Sequence, residues 1–181
     1  MFETERLIIR KFTREDLPWI IAIRTKPIIN KYLGGAKLQN PEKITQRLDF
    51  YLECYEKYGF GLCAMHWKET GEMFGWSGLQ PLGETGEIEV GYGMAQEFWR
   101  KGIGYECAKG WLDFGFREKN LDRIVAVASP ENTGSWRIME KLGMSYKKTE
   151  FHYDMECKFY GISKKDWSAS ILARNSFLIL R

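Results

Sequence analysis

The chain has 181 residues, room for one domain with a substantial core and too few for two comfortable ones. Its 27 basic and 24 acidic side chains are spread along the whole length and leave a net charge of only +3. Without a basic run, nucleic acid is disfavoured as the main partner, while a local basic patch for one anionic ligand stays open.

The four cysteines lie far apart with no C-x-x-C pair, and His66 and His152 stand alone. No metal-ligand spacing results, so no metal is expected. The start Met1-Phe2-Glu3-Thr4-Glu5-Arg6 lacks the apolar core of a signal peptide. No apolar run approaches the ~20 residues of a membrane span. The expectation is a cytoplasmic protein with reduced thiols and no membrane partner.

In chain order, Leu7-Ile8-Ile9 marks a first strand over 6–12, and Thr13 with the acids behind it caps a helix through Trp19, Ile20 and Ile23. Lys26-Pro27 ends or kinks that helix, and 30–40 reads as a loop. Ile44, Leu48, Tyr51, Leu52 and Tyr55 then recur at helical spacing behind Pro41. At residue 60 the period changes: 60–67, 73–80 and 87–94 read as a three-strand meander, whose glycines Gly75, Gly78, Gly91 and Gly93 point to bulges or close backbone approach.

A glycine turn at 100–104 leads into a helix over 105–118 that buries Cys107, Trp111 and Phe114. The apolar run 123–128 is of the kind that doubly covered parallel strands show. Strand, turn, helix and strand make a βαβ unit, so 87–94 and 123–128 should lie parallel. Asn132 caps a short helix that Gly143 ends, strands follow at 144–148 and 154–159, and 168–181 is left open between helix, strand and extension. The sum is one α+β domain, 1–181, around a mixed sheet.

Chemistry concentrates at the turn. Amides at a helix start lack internal partners, glycines let a ligand approach them, and the helix dipole favours an anion. Arg100, Lys101, Gly102, Ile103 and Gly104 therefore make a candidate diphosphate cradle. Cys107 replaces the third glycine of the dinucleotide fingerprint, and no G-x-x-x-x-G-K-[ST] is present, so hydride and nucleoside-triphosphate chemistry lose ground. Glu87 and Glu89, two apart on a strand, share a face: either serves as a base or simply faces solvent.

The segments Glu89-Val90-Gly91-Tyr92-Gly93-Met94-Ala95 and Phe98-Trp99-Arg100-Lys101-Gly102-Ile103-Gly104 resemble the acetyl-CoA motif of the GNAT acetyltransferases. Pro130-Glu131-Asn132-Thr133-Gly134-Ser135 and Glu140-Lys141-Leu142-Gly143-Met144 resemble its continuation in the RimJ/RimL-type branch, and Thr4-Glu5-Arg6-Leu7 and Tyr160-Gly161-Ile162 fit the two ends. Together these span roughly 3–167.

The resemblance implies a mostly antiparallel mixed sheet, flanked by helices, whose central parallel pair splays apart to admit acetyl-CoA. It implies that the pantetheine arm lies along Tyr92, Gly93, Met94 and Ala95, and the diphosphate on the turn. Glu89 takes the place of the family's strand glutamate, as base or as the group that orients the amine. The family's usual acid, a Tyr seven positions after the Asn, is replaced by Met139; Ser135 stands where the branch can carry a serine instead, and its plain alternative is a helix-start residue. Asn132 is implied at the co-substrate and is equally a helix cap. Trp99 occupies a position where many members have Gln or Arg, so it is marked down as a ligand.

The implied reaction is direct acetyl transfer to a primary amine, on a protein N-terminus or a small molecule, and a homodimer is compatible with it. A non-catalytic acyl-CoA sensor, or a nucleotide-binding protein, are the rival readings. His66 reads as structural, His152 as a residue near the acceptor segments 26–58 and 149–155, and Cys107 as core rather than nucleophile.

Overall fold

The computed structural model describes the backbone of residues 1–178 and side chains through residue 171; residues 179–181 lie outside it. Two strands begin the fold, β1 (Phe2–Glu3) and β2 (Leu7–Lys11). Thr13 does not open the first helix directly. A single 3-10 turn at Arg14–Asp16 intervenes, because Asp16 takes the Thr13 amide at 2.9 Å while Arg10 grips its two oxygens at 2.7 and 2.8 Å. Helix α1 (Leu17–Arg24) follows and stops before Lys26-Pro27, where the sequence has the helix end or kink; Pro27, preset for a helix start, then begins the one-turn α2 (Pro27–Asn30).

Helix α3 (Pro41–Tyr58) is bounded as its residues dictate. The Asn40 side chain accepts from the Lys43 amide at 2.9 Å, and Gly59 closes the helix with φ 73°. Its buried stripe is Ile44, Leu48, Tyr51, Cys54 and Tyr55. The meander comprises β3 (Leu62–Trp67), β4 (Met73–Pro81) and β5 (Ile88–Met94). The β4–β5 ladder runs without a shift from Gly75↔Met94 to Pro81↔Ile88, whereas between β3 and β4 the register slips at Met65/His66 and leaves Phe74 of β4 as the extra residue, beside Gly75. Close approach accounts for two more of the meander glycines: a Cβ on Gly93 would lie 2.2 Å from the Trp76 ring, and one on Gly78 2.2 Å from the Gly61 carbonyl oxygen.

Helix α4 (Ile103–Arg117) starts two residues earlier than the sequence pattern places it. After it come β6 (Arg123–Ala128), α5 (Thr133–Lys141), β7 (Ser145–His152), β8 (Met155–Ser163) and α6 (Lys164–Leu178). The last settles most of the open stretch 168–181 as helix. Strands β7 and β8 outrun the expected 144–148 and 154–159 because they meet in a two-residue hairpin at Tyr153 (φ 54°) and Asp154 (φ 57°), the left-handed geometry that matches strand twist.

The eight strands form one sheet in the order β1-β2-β3-β4-β5-β6-β8-β7, antiparallel everywhere except between β5 and β6. On one face α4 packs through Trp111, fully buried, whose indole N–H donates to Ser77 Oγ at 2.9 Å. On the other face α1 and α3 close over β4, with Arg24 lying 4.8 Å above the Trp76 ring. The core is continuous through the sheet from Ile9 and Ile44 to Leu112 and Trp167.

Trp111 carries the packing of α4, so Trp111→Ala should cost about 3–5 kcal/mol of unfolding free energy, read as a lower urea midpoint. A loss below about 1 kcal/mol would show that α4 is held by other contacts.

Candidate active site

The parallel pair β5–β6 is joined at one register position, Glu89↔Val125, while the far edge of β6 pairs with β8 over its whole length. Beyond Glu89 the two strands part. The Ala95 amide donates to the Phe74 carbonyl oxygen at 2.9 Å. By the alternation of an antiparallel ladder, Ala95 and Gly93 thus turn their peptide groups to β4, and Tyr92 and Met94 turn theirs to the gap. Of the four residues expected along the pantetheine arm, Tyr92 and Met94 thus present peptide groups to the gap, while Gly93 and Ala95 turn theirs within the sheet. Trp99, marked down as a ligand, also has a structural task, its indole N–H donating to the Met94 carbonyl at 3.0 Å.

A cavity of about 670 Å³ runs along this gap. Glu89, Gln80, Tyr153, Arg24 and Arg47 line one end, and Arg100, Gly102, Gly104, Asn132 and Ser135 the other. Glu89 is 3% exposed. Its Oε1 accepts from Gln80 Nε2 at 2.6 Å and from the Tyr153 hydroxyl. Burial raises its pKa above the ordinary glutamate value, while the two hydrogen bonds pull the other way without cancelling it. Glu87 behaves differently. It precedes β5, ion-pairs with Arg123 at 3.3 Å and does not line the cavity. The two carboxylates that the sequence treated as alternatives are thereby separated, and the solvated-face reading fails for Glu89.

At the opposite end, Arg100 (φ 60°) and Gly102 (φ 76°) both take left-handed backbone, and Gly102 is the N-cap of α4. A Cβ at Gly102 would meet only the Arg6 guanidinium, at 3.6 Å. The first ladder bond of α4 runs from the Glu106 amide to the Gly102 carbonyl at 3.1 Å, so the amides of Ile103 and Gly104 lie ahead of the helical ladder. Arg6 pins this turn. Its guanidinium donates to the Lys101 carbonyl at 2.9 Å and to Glu106 Oε2 at 2.7 Å, and Thr4 Oγ1 donates to Glu106 at 2.5 Å. Lys101 itself lies 5.4 Å over the Phe98 ring.

Asn132 is the N-cap of α5, accepting from the Ser135 amide at 3.2 Å. Ser135 Oγ stands 3.1 Å from the Tyr92 hydroxyl, which also reaches the Ser135 carbonyl oxygen at 3.1 Å. Burial raises the Tyr92 pKa, so the phenol keeps its proton. Met139 is 2% exposed and packs in the core. Cys107 is fully buried with its thiol pushed up to about 12, also by burial. His66 bonds the Gly71 carbonyl at 2.9 Å, and His152 pairs with Glu150 at 2.8 Å; neither lines the cavity.

Sequence reading missed Gln80, Tyr153, Arg24 and Arg47, and the Tyr92 hydroxyl. Pairing the two expected strands, 73–80 and 87–94, end to end would have set Gln80 across from Glu87; the actual register is offset by two and sets it across from Glu89. Tyr153 carries no such signal, since a Tyr-Asp hairpin lacks the glycine that usually marks one.

The Acetyltransferase (GNAT) domain family matches residues 6–145. The N-acetyltransferase p20 of Bacillus licheniformis is 29% identical over 154 residues, 84% of this chain and 85% of that protein. The crystal structure of an acetyltransferase from Agrobacterium tumefaciens str. C58 superposes with TM-score 0.78 at 25% identity, covering 89% of this chain and 92% of that one. RimL, a ribosomal L7/L12 alpha-N-protein acetyltransferase solved with coenzyme A, shares the fold at TM-score 0.73 and 13% identity, over 88% of this chain and 95% of that one. With the family match spanning most of the chain and the splayed parallel pair at its centre, the protein belongs to the GNAT family and is an acetyltransferase.

Proposed function

We propose that this acetyltransferase moves an acetyl group from acetyl-CoA to a primary amine by direct attack, in the manner of the RimJ/RimL-type branch. The observation that carries the reading is the single cavity with a buried carboxylate, Glu89, at the fork of β5 and β6 and an open helix start at its far end. Acetyl-CoA supplies the activated thioester. The protein residues fit it at both places where a ligand of that shape needs donors. The turn from Arg100 to Gly104 offers amides ahead of the α4 ladder for a diphosphate, and Tyr92 and Met94 turn peptide groups into the gap.

Glu89 is the group that takes the proton from the attacking ammonium or amine. A raised pKa brings a carboxylate closer to the working pH, where a general base is most effective. Gln80 and Tyr153 fix its Oε1. Ser135, backed by the Tyr92 hydroxyl, is the proton source for the departing thiolate, and Asn132 aims it by capping α5. With Cys107 sealed and protonated, no cysteine intermediate is invoked. All four cysteines are buried and unpaired, which supports a reducing cytoplasmic setting for the reaction.

The deciding experiment follows thiol release from acetyl-CoA against a panel of amines; release that depends on the amine supports the reading, and binding of acetyl-CoA without it favours a sensor. Glu89→Gln should lower turnover near neutral pH by about 10²-fold or more while leaving acetyl-CoA affinity nearly intact. In the parent enzyme, turnover should rise as pH climbs through the raised pKa of Glu89. The stability that its protonated form brings is full below the ordinary glutamate range and lost over the same climb.

Tyr153→Phe removes a donor to the carboxylate, so the pH–rate profile should move to higher pH; a profile that stays in place rules out Glu89 as the titrating base. Gly102→Glu would force a side chain onto left-handed backbone and set a carboxylate where the diphosphate belongs. Acetyl-CoA affinity measured by calorimetry should collapse, and unchanged affinity would refute the turn assignment.

A further inference from the structure

Arg24, the last residue of α1, is 4% exposed, and its guanidinium has no carboxylate partner among the described residues. Its Nε donates to Gln39 Oε1 at 2.9 Å, and Gln39 is itself neutral, buried, and tied to the Leu33 carbonyl oxygen at 2.6 Å. The flat of the guanidinium lies 4.8 Å over the Trp76 ring. Residues 172–181 contain no Asp or Glu that could supply the missing charge.

A buried cation without a counter-charge is costly, and arginine cannot escape the cost by losing its proton. Burial does depress the Arg24 pKa, and the nearby Arg47 adds to the depression. Such a group is kept where something that is not always present neutralises it.

The geometry says where that partner comes from. Arg24 lines the cavity. One of its five N–H donors is spent on Gln39, which leaves the two terminal nitrogens with no protein partner. Neither is among the sealed, unpartnered side-chain atoms, which are His66 Nε2 and Gln80 Oε1 among the described residues, so both keep some exposed surface. With its carbon 4.8 Å from the Trp76 ring centroid and its Nε tied to Gln39, the guanidinium offers a fork of the shape that a planar carboxylate matches. Arg47, half-buried on α3 with its guanidinium 6.0 Å from the Tyr153 ring, lines the same chamber and is likewise without an ion pair.

Glu89 is not paired with Arg24: no ion pair between them is formed among the described residues, and Glu89 Oε1 is held by Gln80 and Tyr153. The acceptor end is therefore bipolar, with a buried carboxylate toward Gln80 and Tyr153 and two guanidiniums toward α1 and α3.

We propose that the acceptor is a small amine bearing a carboxylate, held by Arg24 with Arg47 assisting so that its amino group is delivered to Glu89. This rests on the acetyltransferase reading above and narrows it. A polyamine would bring further positive charge against two guanidiniums, and an uncharged amine would leave the Arg24 fork empty.

The test uses the full-length protein, acetyl-CoA and matched probes: α-amino acids, β- and γ-amino acids, and the carboxamide of each, with thiol release as the readout. The expected result is a kcat/KM for carboxylates about 10- to 100-fold above their carboxamides, the range of a charge-assisted hydrogen bond. In Arg24→Gln that ratio should fall toward one, and being a ratio it is insensitive to a general loss of active protein. Arg24→Lys, which keeps the charge without the fork, should give an intermediate ratio and covers the case in which Arg24→Gln does not fold.

A wild-type ratio at or below one, with carboxamides turned over, overturns the proposal and leaves the acetyltransferase reading standing; water would then be what meets the guanidinium. A high ratio that survives in both variants overturns the assignment to Arg24. Absence of thiol release from every amine, with acetyl-CoA still bound, removes both readings.

Discussion

Strand β6 can serve only one neighbour along its full length, and that neighbour is β8. Its contact with β5 is a single register position at Glu89↔Val125, beyond which the two strands part. The Met94 carbonyl in the gap is taken by the Trp99 indole, and the other gap-facing peptide groups of β5 meet the cavity instead of a strand. Backbone donors and acceptors in that position need a partner, and an extended, amide-bearing ligand is one that can supply it. The gap also decides where the buried carboxylate sits. Glu89 lies at the last point of contact, so it is walled by protein on both sides and open only along the cleft.

The two ends of the cleft solve different electrostatic problems. At the turn, oriented amides act beside Arg100, while Lys101 is drawn over Phe98 and Arg6 is engaged with Glu106 and the Lys101 carbonyl. Such dipoles are fixed in advance and need no reorganisation when an anion arrives. At the acceptor end, formal charges are buried and held by neutral neighbours, Gln80 and Tyr153 for Glu89, Gln39 and Trp76 for Arg24. Neutral hydrogen bonds position a charge without cancelling it, which leaves each group available to a substrate.

Much of this arrangement was legible in the residues because it is local. The helix start at Pro41, the Asn132 cap, the stripe Ile44-Leu48-Tyr51-Tyr55 and the apolar run of β6 each announce themselves within a few positions. The glycine turn was legible for the same reason, since strand, positive-φ residues and helix start are consecutive.

What stayed hidden depends on distant parts of the chain. Tyr153 reaches Glu89 across 64 positions through a hairpin with no glycine, and Arg24 meets Gln39 and Trp76 only once α1 has folded over β4. The split between Glu87 and Glu89 was invisible too, because strand alternation gives them one face while the actual strand starts only at Ile88. Alternation likewise could not say which β5 peptide groups point to β4 until the Ala95–Phe74 bond fixed the phase.

The clasp of Arg6 on Glu106 and Lys101 spans 100 and 95 positions respectively. During synthesis the clasp's first half is made almost at once and then waits for more than half the polypeptide to emerge. Closing so long a loop is entropically unfavourable, and contacts of this separation belong to the slow part of folding. The helix of α4 can form early from its own residues, but its leading turn acquires its final shape only when the amino-terminal strand docks. In a nascent chain, therefore, the turn proposed to seat a diphosphate takes its final shape late.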